Sequence, residues 1–269
     1  MTRVLALCAD DFGAGAAIDE AIVALLRQGR LSAVSCIANG PSWANGAAAL
    51  MALPAVRQGT VSVGLHWNLS EGRPASPALA ARWPQLPALP RLIAMAHAGR
   101  LPLAALQAEL DAQWQQFERH AGRLPAHLDG HQHVHHLPGL RRLVQARALA
   151  QPGLRVRDTG HVRGPGFAVK RALIAATGGL ALSRWLQAQG RAANRELLGV
   201  YDFRERDYRG LMRAWLARLP ASGGLVFCHP ALAERPGDAI AAARCREWAY
   251  LSGPAFADDL AEAGVRLAG

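Results

Sequence analysis

The feature that most limits how this chain can fold is a repeated unit: a short apolar run that breaks off at polar residues, followed by a stretch with helical spacing. Residues 4–9 carry no charge and stop at Asp10-Asp11, and over Ala16–Arg27 the residues Ile18, Ile22, Leu25 and Leu26 recur on one helical face until Gly29. The unit returns with residues 33–38 before Asn39-Gly40-Pro41, a helix around residues 44–53, and a third run over residues 60–66. After a proline-rich excursion over residues 73–90, helical spacing resumes at residues 101–120, and residues 126–129 lead into a cluster of histidines. Residues 154–157, 225–228 and 265–267 complete the strand candidates. Short apolar runs bounded by turn residues are what strands covered on both faces look like. Their alternation with helices predicts an α/β fold of parallel strands joined by crossover helices, closed into a barrel, with an open sheet as the alternative. No linker divides the chain, so residues 1–269 are expected to form a single domain, with residues 160–166 and the proline-rich segment as long loops.

The formal charge of +10 raises the question of an anionic partner, but the distribution argues against nucleic acid. Arginines are scattered singly and in pairs such as Arg141-Arg142, Lys170 is the sole lysine, and no run of five basic residues occurs. Solvated basic faces are the simpler account, with an acidic or lipid-surface-borne substrate left open. Cys8, Cys36, Cys228 and Cys245 show no CxxC spacing, and three of them sit inside apolar runs, as reduced core thiols do. The first residues lack the apolar length and cleavage site of a secretory signal, and no stretch approaches the ~18 apolar residues that span a bilayer. The expectation is a cytoplasmic protein without an integral membrane segment.

Residues able to bind metal fall just after successive strands: Asp10-Asp11, His66, the segment from His127 to His136, and His229. In parallel α/β folds the carboxyl ends of the strands share one face, so these residues can converge. Carboxylate and imidazole together suit a divalent ion such as Zn²⁺, with Mg²⁺ among the alternatives. Three protein ligands leave room for a water, which the ion acidifies while polarising a carbonyl, and a neighbouring acid can take the proton. Adjacent aspartates fit that division. Taken alone, Asp10-Asp11 would more simply cap the next helix, and His66 would be an ordinary core or loop histidine. The histidine segment is different, because it holds five of the ten histidines within ten residues. At most two or three can serve one ion, which leaves the others to orient ligands or touch substrate. His229 could simply end its strand, or it could protonate a leaving group. There is no GxSxG elbow, P-loop or GxGxxG fingerprint, and Cys8 and Cys228 lie where a thiolate is disfavoured.

At these residues the chain resembles the YdjC-like carbohydrate deacetylases, which include the chitooligosaccharide deacetylases. The resemblance rests on ADDFG (residues 9–13), Asn39-Gly40, GLHWNLSEGRP (64–74), PAHLDGHQHVH (125–135), LRVRD (154–158) and CHPA (228–231), in that order. It implies a distorted parallel (β/α) barrel of about seven strands and one divalent metal, Mg²⁺ or Zn²⁺, used to remove an N-acetyl group from an amino sugar. Position by position it implies Asp11, His66 and His131 as metal ligands, Asp10 as general base and His229 as general acid. Arg155 matches a basic residue near the pocket, and His127, Asp129, His133 and His135 are expected to orient ligands or touch substrate. Gly130 stands where the chitooligosaccharide branch has serine, and residues 73–101 and 160–204 match poorly, so the sugar does not carry over.

The expected activity is thus amide hydrolysis, in which a metal-bound water oriented by Asp10 attacks the acetyl carbonyl and His229 protonates the departing nitrogen. A metal-dependent phosphoesterase or glycosidase on the same ligands is the alternative within enzymes. A silent metal- or sugar-binding protein is the alternative outside them. The substrate is expected to be an N-acetylated amino sugar, as an oligosaccharide or lipid-linked, and assembly as a homodimer is left open.

Overall fold

A run of apolar residues with no polar alternation has to be covered on both faces, and the first such run becomes the central strand. In the computed structural model, which describes residues 2–191 and 193–269, β1 (Arg3–Phe12) buries Leu5, Leu7, Ala9 and Phe12 completely. It is followed by β2 (Ala33–Cys36), β3 (Ser62–Trp67), β4 (His127–Gly130), β5 (Arg155–Val156), β6 (Leu197–Leu198), β7 (Gly224–Cys228) and β8 (Val265–Leu267). All neighbours pair in parallel, in the order β5-β4-β3-β2-β1-β7-β6. Leu5 pairs with Gly224 of β7 and also with Leu267, so β8 lies beside the start of β1 on the edge away from β7.

The seven strands curl into a half-barrel with helices outside, the distorted (β/α) barrel expected. Its edge strands are joined by a loop rather than by each other. Val162 forms a parallel bridge with Leu197, with Arg163 N–H donating to Leu197 O at 2.8 Å and Leu197 N–H donating to His161 O at 2.9 Å. β6 had not been anticipated. Two residues are too few to show a period, and their partner is the middle strand β7 rather than anything nearby in sequence.

The helices are α1 (Ala16–Arg27), α2 (Trp43–Met51), α3 (Pro54–Arg57), α4 (Pro77–Ala80), α5 (Leu89–His97), α6 (Leu103–Ala121), α7 (Leu140–Ala150), α8 (Ala168–Ile174), α9 (Leu180–Ala188), α10 (Tyr208–Arg218), α11 (Ala241–Ser252) and α12 (Pro254–Glu262). α1 has the limits read from its periodicity. The proline-rich excursion is not the plain loop expected, because it contains α4 and the start of α5. Ser76 caps α4 by accepting from Leu79 N–H, and the buried Glu109 of α6 accepts from the backbone N–H groups of Ala75 and Ser76 at 2.8 and 2.7 Å. Trp43 stacks on Phe117 at 5.2 Å and joins α2 to α6. None of the described helices is long and apolar enough to cross a membrane.

Close approach between β3 and β4 makes one position intolerant of any side chain. A Cβ on Gly64 would lie 2.4 Å from the carbonyl oxygen of His127 and 2.3 Å from its ring. Since one of these atoms is backbone in the adjacent strand, relief requires the strands to part. Gly64→Ala should lower the unfolding free energy by roughly 2–3 kcal/mol, read as a lower urea midpoint at unchanged slope. A midpoint equal to the parent's would show that the two strands separate freely here.

Candidate metal centre and active-site cavity

The site begins with an irregularity in β1. Ala9 faces Val34 and Phe12 faces Cys36, so three steps along β1 match two along β2. The extra residue is a β-bulge, with Asp11 in the left-handed region at φ 70°. Aspartate tolerates that conformation better than most residues. In a regular strand, neighbouring side chains point to opposite faces, yet Asp10 and Asp11 both line one cavity. The aspartates are therefore part of the strand rather than of the loop after it, and the bulge puts both on the same side.

Asp11 meets His66, near the end of β3, and His131, first residue of the 3₁₀ turn after β4. One donor atom from each of the three lies within 4.8 Å of the others. Asp11 Oδ1 is 2.9 Å from His131 Nδ1 and 3.4 Å from His66 Nε2, while Asp11 Oδ2 accepts from Arg244 of α11 at 2.7 Å. His66 turns its other nitrogen to Asp129 Oδ1 at 2.6 Å, the carboxylate–imidazole pairing that orients metal-binding histidines. His131 Nε2 is buried without a hydrogen bond, although Glu71 Oε1 stands off-line at 3.2 Å. Burial disfavours charge on both imidazoles, but the acids around them outweigh it. Asp129 and Asp10 raise His66 to about 10, and Asp11 raises His131 to about 9. Burial likewise opposes charge on Asp11, but His131 and Arg244 hold its carboxyl well below the usual range. Two imidazoles with centroids 5.5 Å apart thus hold protons around a single carboxylate, one of them also facing Glu71. A divalent cation fits this oxygen–nitrogen–nitrogen donor set.

The partner of Asp10 is Arg157, which the sequence reading passed over in favour of Arg155. Arg157 donates to Asp10 Oδ2 and Oδ1 at 2.6 and 2.7 Å, and its Nη2 lies 2.6 Å from Asp129 Oδ2. Arg155, two residues earlier, is exposed and lines a second cavity at the opposite end of the barrel, so its placement near the substrate pocket is corrected. His127 lies toward that same end. There Arg155 donates to Ser62, Ser62 to His127 Nδ1 at 2.8 Å, His127 Nε2–H to Ser35 Oγ at 3.0 Å, and Ser35 to Asp129 Oδ2 at 2.7 Å. Every hydroxyl in this chain both accepts and donates, which assigns the His127 proton to Nε2.

Of the clustered histidines, only His131 belongs to the trio. His133 lines the cavity with φ 61°, its ring at right angles to Phe227. His135 is wholly buried and donates from Nε2 to Arg157 O at 3.0 Å, and His136 is held between Thr159 and Thr177. Burial lowers His127 and His135 to about 4 and pushes His133 and His136 well below the usual imidazole range. Gly130 is explained by His135, whose backbone nitrogen would lie 2.8 Å from a Cβ there.

His229 follows β7 and lines the same cavity, of about 380 Å³, as Asp10 and the trio. Its backbone N–H donates to Glu247, and its ring meets the rings of Phe203 and Phe227 at 5.3 and 5.5 Å. His229 Nδ1 is buried with no hydrogen bond. Arg157, Arg244, Ser35 and Glu247 were all missed, because residues so far apart in sequence show their purpose only once the barrel gathers them. Cys8, Cys36 and Cys228 are buried free thiols that burial pushes well above their usual range, as expected of core cysteines.

A parallel half-barrel with carboxylates and imidazoles gathered in one pocket at the carboxyl ends of its strands defines the class of α/β protein to which this chain belongs. The YdjC-like protein family matches residues 4–262, and the chain belongs to that family. The chain is similar over its length to the chitooligosaccharide deacetylase of Enterobacter sp. (strain 638), with 30% identity over 276 residues covering 99% of this chain and 98% of the relative. It is 39% identical over 169 residues to the carbohydrate deacetylase of Mus musculus, covering 60% of this chain and 52% of the relative, so that match spans about half of the mouse protein. A solved structure from Enterococcus faecalis V583, provisionally described as a cellobiose-phosphate cleavage protein, superposes with a TM-score of 0.74 at 20% identity, covering 100% of this chain and 98% of that one. That likeness shows the fold alone.

The raised histidines have a consequence for stability without metal. A group whose folded pKa lies above its unfolded value stabilises fully below the unfolded value, and that stability is lost as pH rises through the folded one. For His66 and His131 the loss falls between about pH 6.5 and pH 9 to 10. Asp11 and Asp129 are lowered in the fold, so their contribution disappears in acid instead. Chelator-treated protein should therefore have a higher urea midpoint at pH 6 than at pH 10. A midpoint that is flat or rises over that range would contradict the charge assignment.

Proposed function

We propose that this chain is a metal-dependent hydrolase that removes an N-acetyl group from an amino sugar or amino-sugar conjugate. The observation that carries the reading is the meeting of Asp11, His66 and His131 in one cavity with a separate carboxylate, Asp10, and a separate imidazole, His229. The relatives that bear the name carbohydrate or chitooligosaccharide deacetylase support it.

Asp11, His66 and His131 would hold the ion, and two nitrogens in three donors favour Zn²⁺ over Mg²⁺, which prefers all-oxygen sites. When bound, such an ion acidifies a water and polarises an amide carbonyl. Asp10 then takes the proton at a carboxylate oxygen. Arg157 bonds both of its oxygens and fixes the plane of the carboxylate; Oδ1 also accepts from Cys8 Sγ at 3.5 Å, which leaves Oδ2 as the oxygen with a further lone pair. His229 would serve the departing nitrogen. Its ring is set by Phe203 and Phe227 and its buried Nδ1 faces Glu247 Oε1 at 3.9 Å, so the other ring nitrogen, Nε2, would give the proton to the amine nitrogen as the amide breaks. Asp129 keeps His66 turned toward Asp11.

The test is to incubate zinc-loaded protein with N-acetylated mono- and oligosaccharides and lipid-linked amino sugars and to measure acetate. Release of phosphate or reducing ends without acetate would overturn the reading. Asp10→Asn should retain the ion while lowering kcat by ~10²-fold or more, as loss of a positioned base does. Asp129 still lies within reach of Arg157 in that variant, so a melting curve will separate misfolding from lost chemistry.

Proton release provides a further check. Because His66 and His131 hold protons up to about 10 and 9 in the metal-free protein, the site must lose them to take up an ion. Apparent Zn²⁺ affinity should rise with pH from 6 to 9, by up to about tenfold per unit for each proton displaced. Calorimetry in two buffers of different ionisation enthalpy measures the protons directly. Affinity independent of pH would remove these histidines from the ligand set.

A further inference from the structure

The cavity is lined by apolar as well as polar side chains, with Lys170, Thr177 and Tyr201 among the polar ones. Beside Asp10, the trio and His229 it has a wall made of Leu89 and Ile93 from α5, Leu137, Leu173 and Ile174 from α8, and Val200. None of these six side chains can donate or accept a hydrogen bond. A second sugar ring lying there would press hydroxyls against hydrocarbon and lose their water partners without replacement, which is how apolar pockets reject polar groups.

The wall also continues out of the cavity. No residue of α8 is buried, Leu173 is 56% exposed, and Val169, four residues earlier and so on the same helical face, is 84% exposed. Of the seven exposed large hydrophobic residues described, three (Val169, Leu173 and Leu180) fall within residues 169–180. Scattered single apolar residues are normal on a surface, but a cluster that joins a cavity is not.

This face is held in position. Lys170 donates to Tyr201 O at 2.6 Å and sits over the ring of Phe203 at 4.6 Å. Beyond α8, a Cβ on Gly178 would fall 2.0 Å from the carbonyl oxygen of His136, so that segment packs directly on the histidine turn. Ile174 packs on Val200 and Phe227 in a small apolar cluster separate from the main core, and Phe227 touches His229. The hydrocarbon path thus runs from the proposed proton donor to the surface of α8.

We infer that the amino sugar accepted by this site is carried on a long aliphatic aglycone, which lies along the wall of α5 and α8 and leaves over Leu173 and Val169. The inference deepens the deacetylase reading and rests on it for the sugar, while the wall can be tested by binding alone.

The experiment compares zinc-loaded protein acting on methyl and octyl glycosides of N-acetylglucosamine and on di-N-acetylchitobiose. KM should fall roughly tenfold or more from methyl to octyl with kcat unchanged, because a buried alkyl chain binds ground and transition states alike. Leu173→Asp and Val169→Asp, on the helix surface, should bring the octyl-to-methyl ratio of kcat/KM toward one while retaining the parent's melting curve. Equal kcat/KM for the two glycosides, or a preference for chitobiose over the octyl glycoside, would overturn the inference and leave the deacetylase reading standing. Calorimetry with the free-amine octyl glucosaminide needs no turnover. Tighter binding than the methyl compound, weakened by Leu173→Asp, supports the wall even if no acetyl group is ever released, whereas equal binding refutes it.

Discussion

The buried guanidinium of Arg157, bonded to Asp10 and lying against Asp129, is the interaction on which the site depends. Removing one member of such a buried cluster leaves an unpaired charge, which is far more damaging than losing a surface pair. Arg244 does the same for Asp11 from another helix. Among these innermost groups, three aspartates face two guanidiniums and leave one negative charge. Two protonated imidazoles, or one divalent ion with neutral imidazoles, then bring the site to the same overall charge. On the proposed reading, uptake of an ion would replace two protons without changing that charge.

Much of this architecture is legible in the sequence, for reasons that particular elements make clear. α1 is periodic, so its type and limits follow from residue pattern, whereas β1 shows in the sequence only as the apolar run over residues 4–9 and extends in the structure from Arg3 to Phe12. β6 is two residues long, and its strand character comes wholly from pairing with β7. The bulge at Asp11 cannot be read from ADDFG, because an inserted residue shows only when the partner strand is set beside it. Arg155 and Arg157 differ by one strand repeat, yet one ends against Asp10 and the other at the far mouth of the barrel. Nothing in LRVRD says where along the barrel axis that strand sits.

The histidine-rich turn shows how composition can point to the correct place and still mislead about its contents. Five imidazoles within ten residues look like a metal-rich loop. In the structure, Gln132 and His133 both adopt left-handed conformations, and the turn sends each ring in a different direction. His131 goes to the trio, His135 to the backbone of Arg157 and His136 to two threonines, while His127 belongs to the strand before the turn. Four of the five are held neutral by burial, and three of these, His127, His135 and His136, serve as rigid hydrogen-bonding struts. Gly130 belongs to the same arrangement, because the volume a side chain would need there is taken by His135.

Phe227 stands where the charged cluster and the apolar side chains of the cavity meet. Its ring lies 5.8 Å from the Arg157 guanidinium carbon and edge-on to His133 and His229, and it clusters with Leu197 and Val200. An aromatic ring suits this boundary, since its π face attracts the cation while its bulk excludes water from the apolar side. Exclusion of water on one side strengthens the charge pairing on the other, because the effective dielectric around Asp10 and Arg157 falls. The wall and the ion cluster are therefore mutually supporting: the dry side sharpens the electrostatics that the wet side uses, and Phe227, next but one to His229 on the end of β7, joins the two.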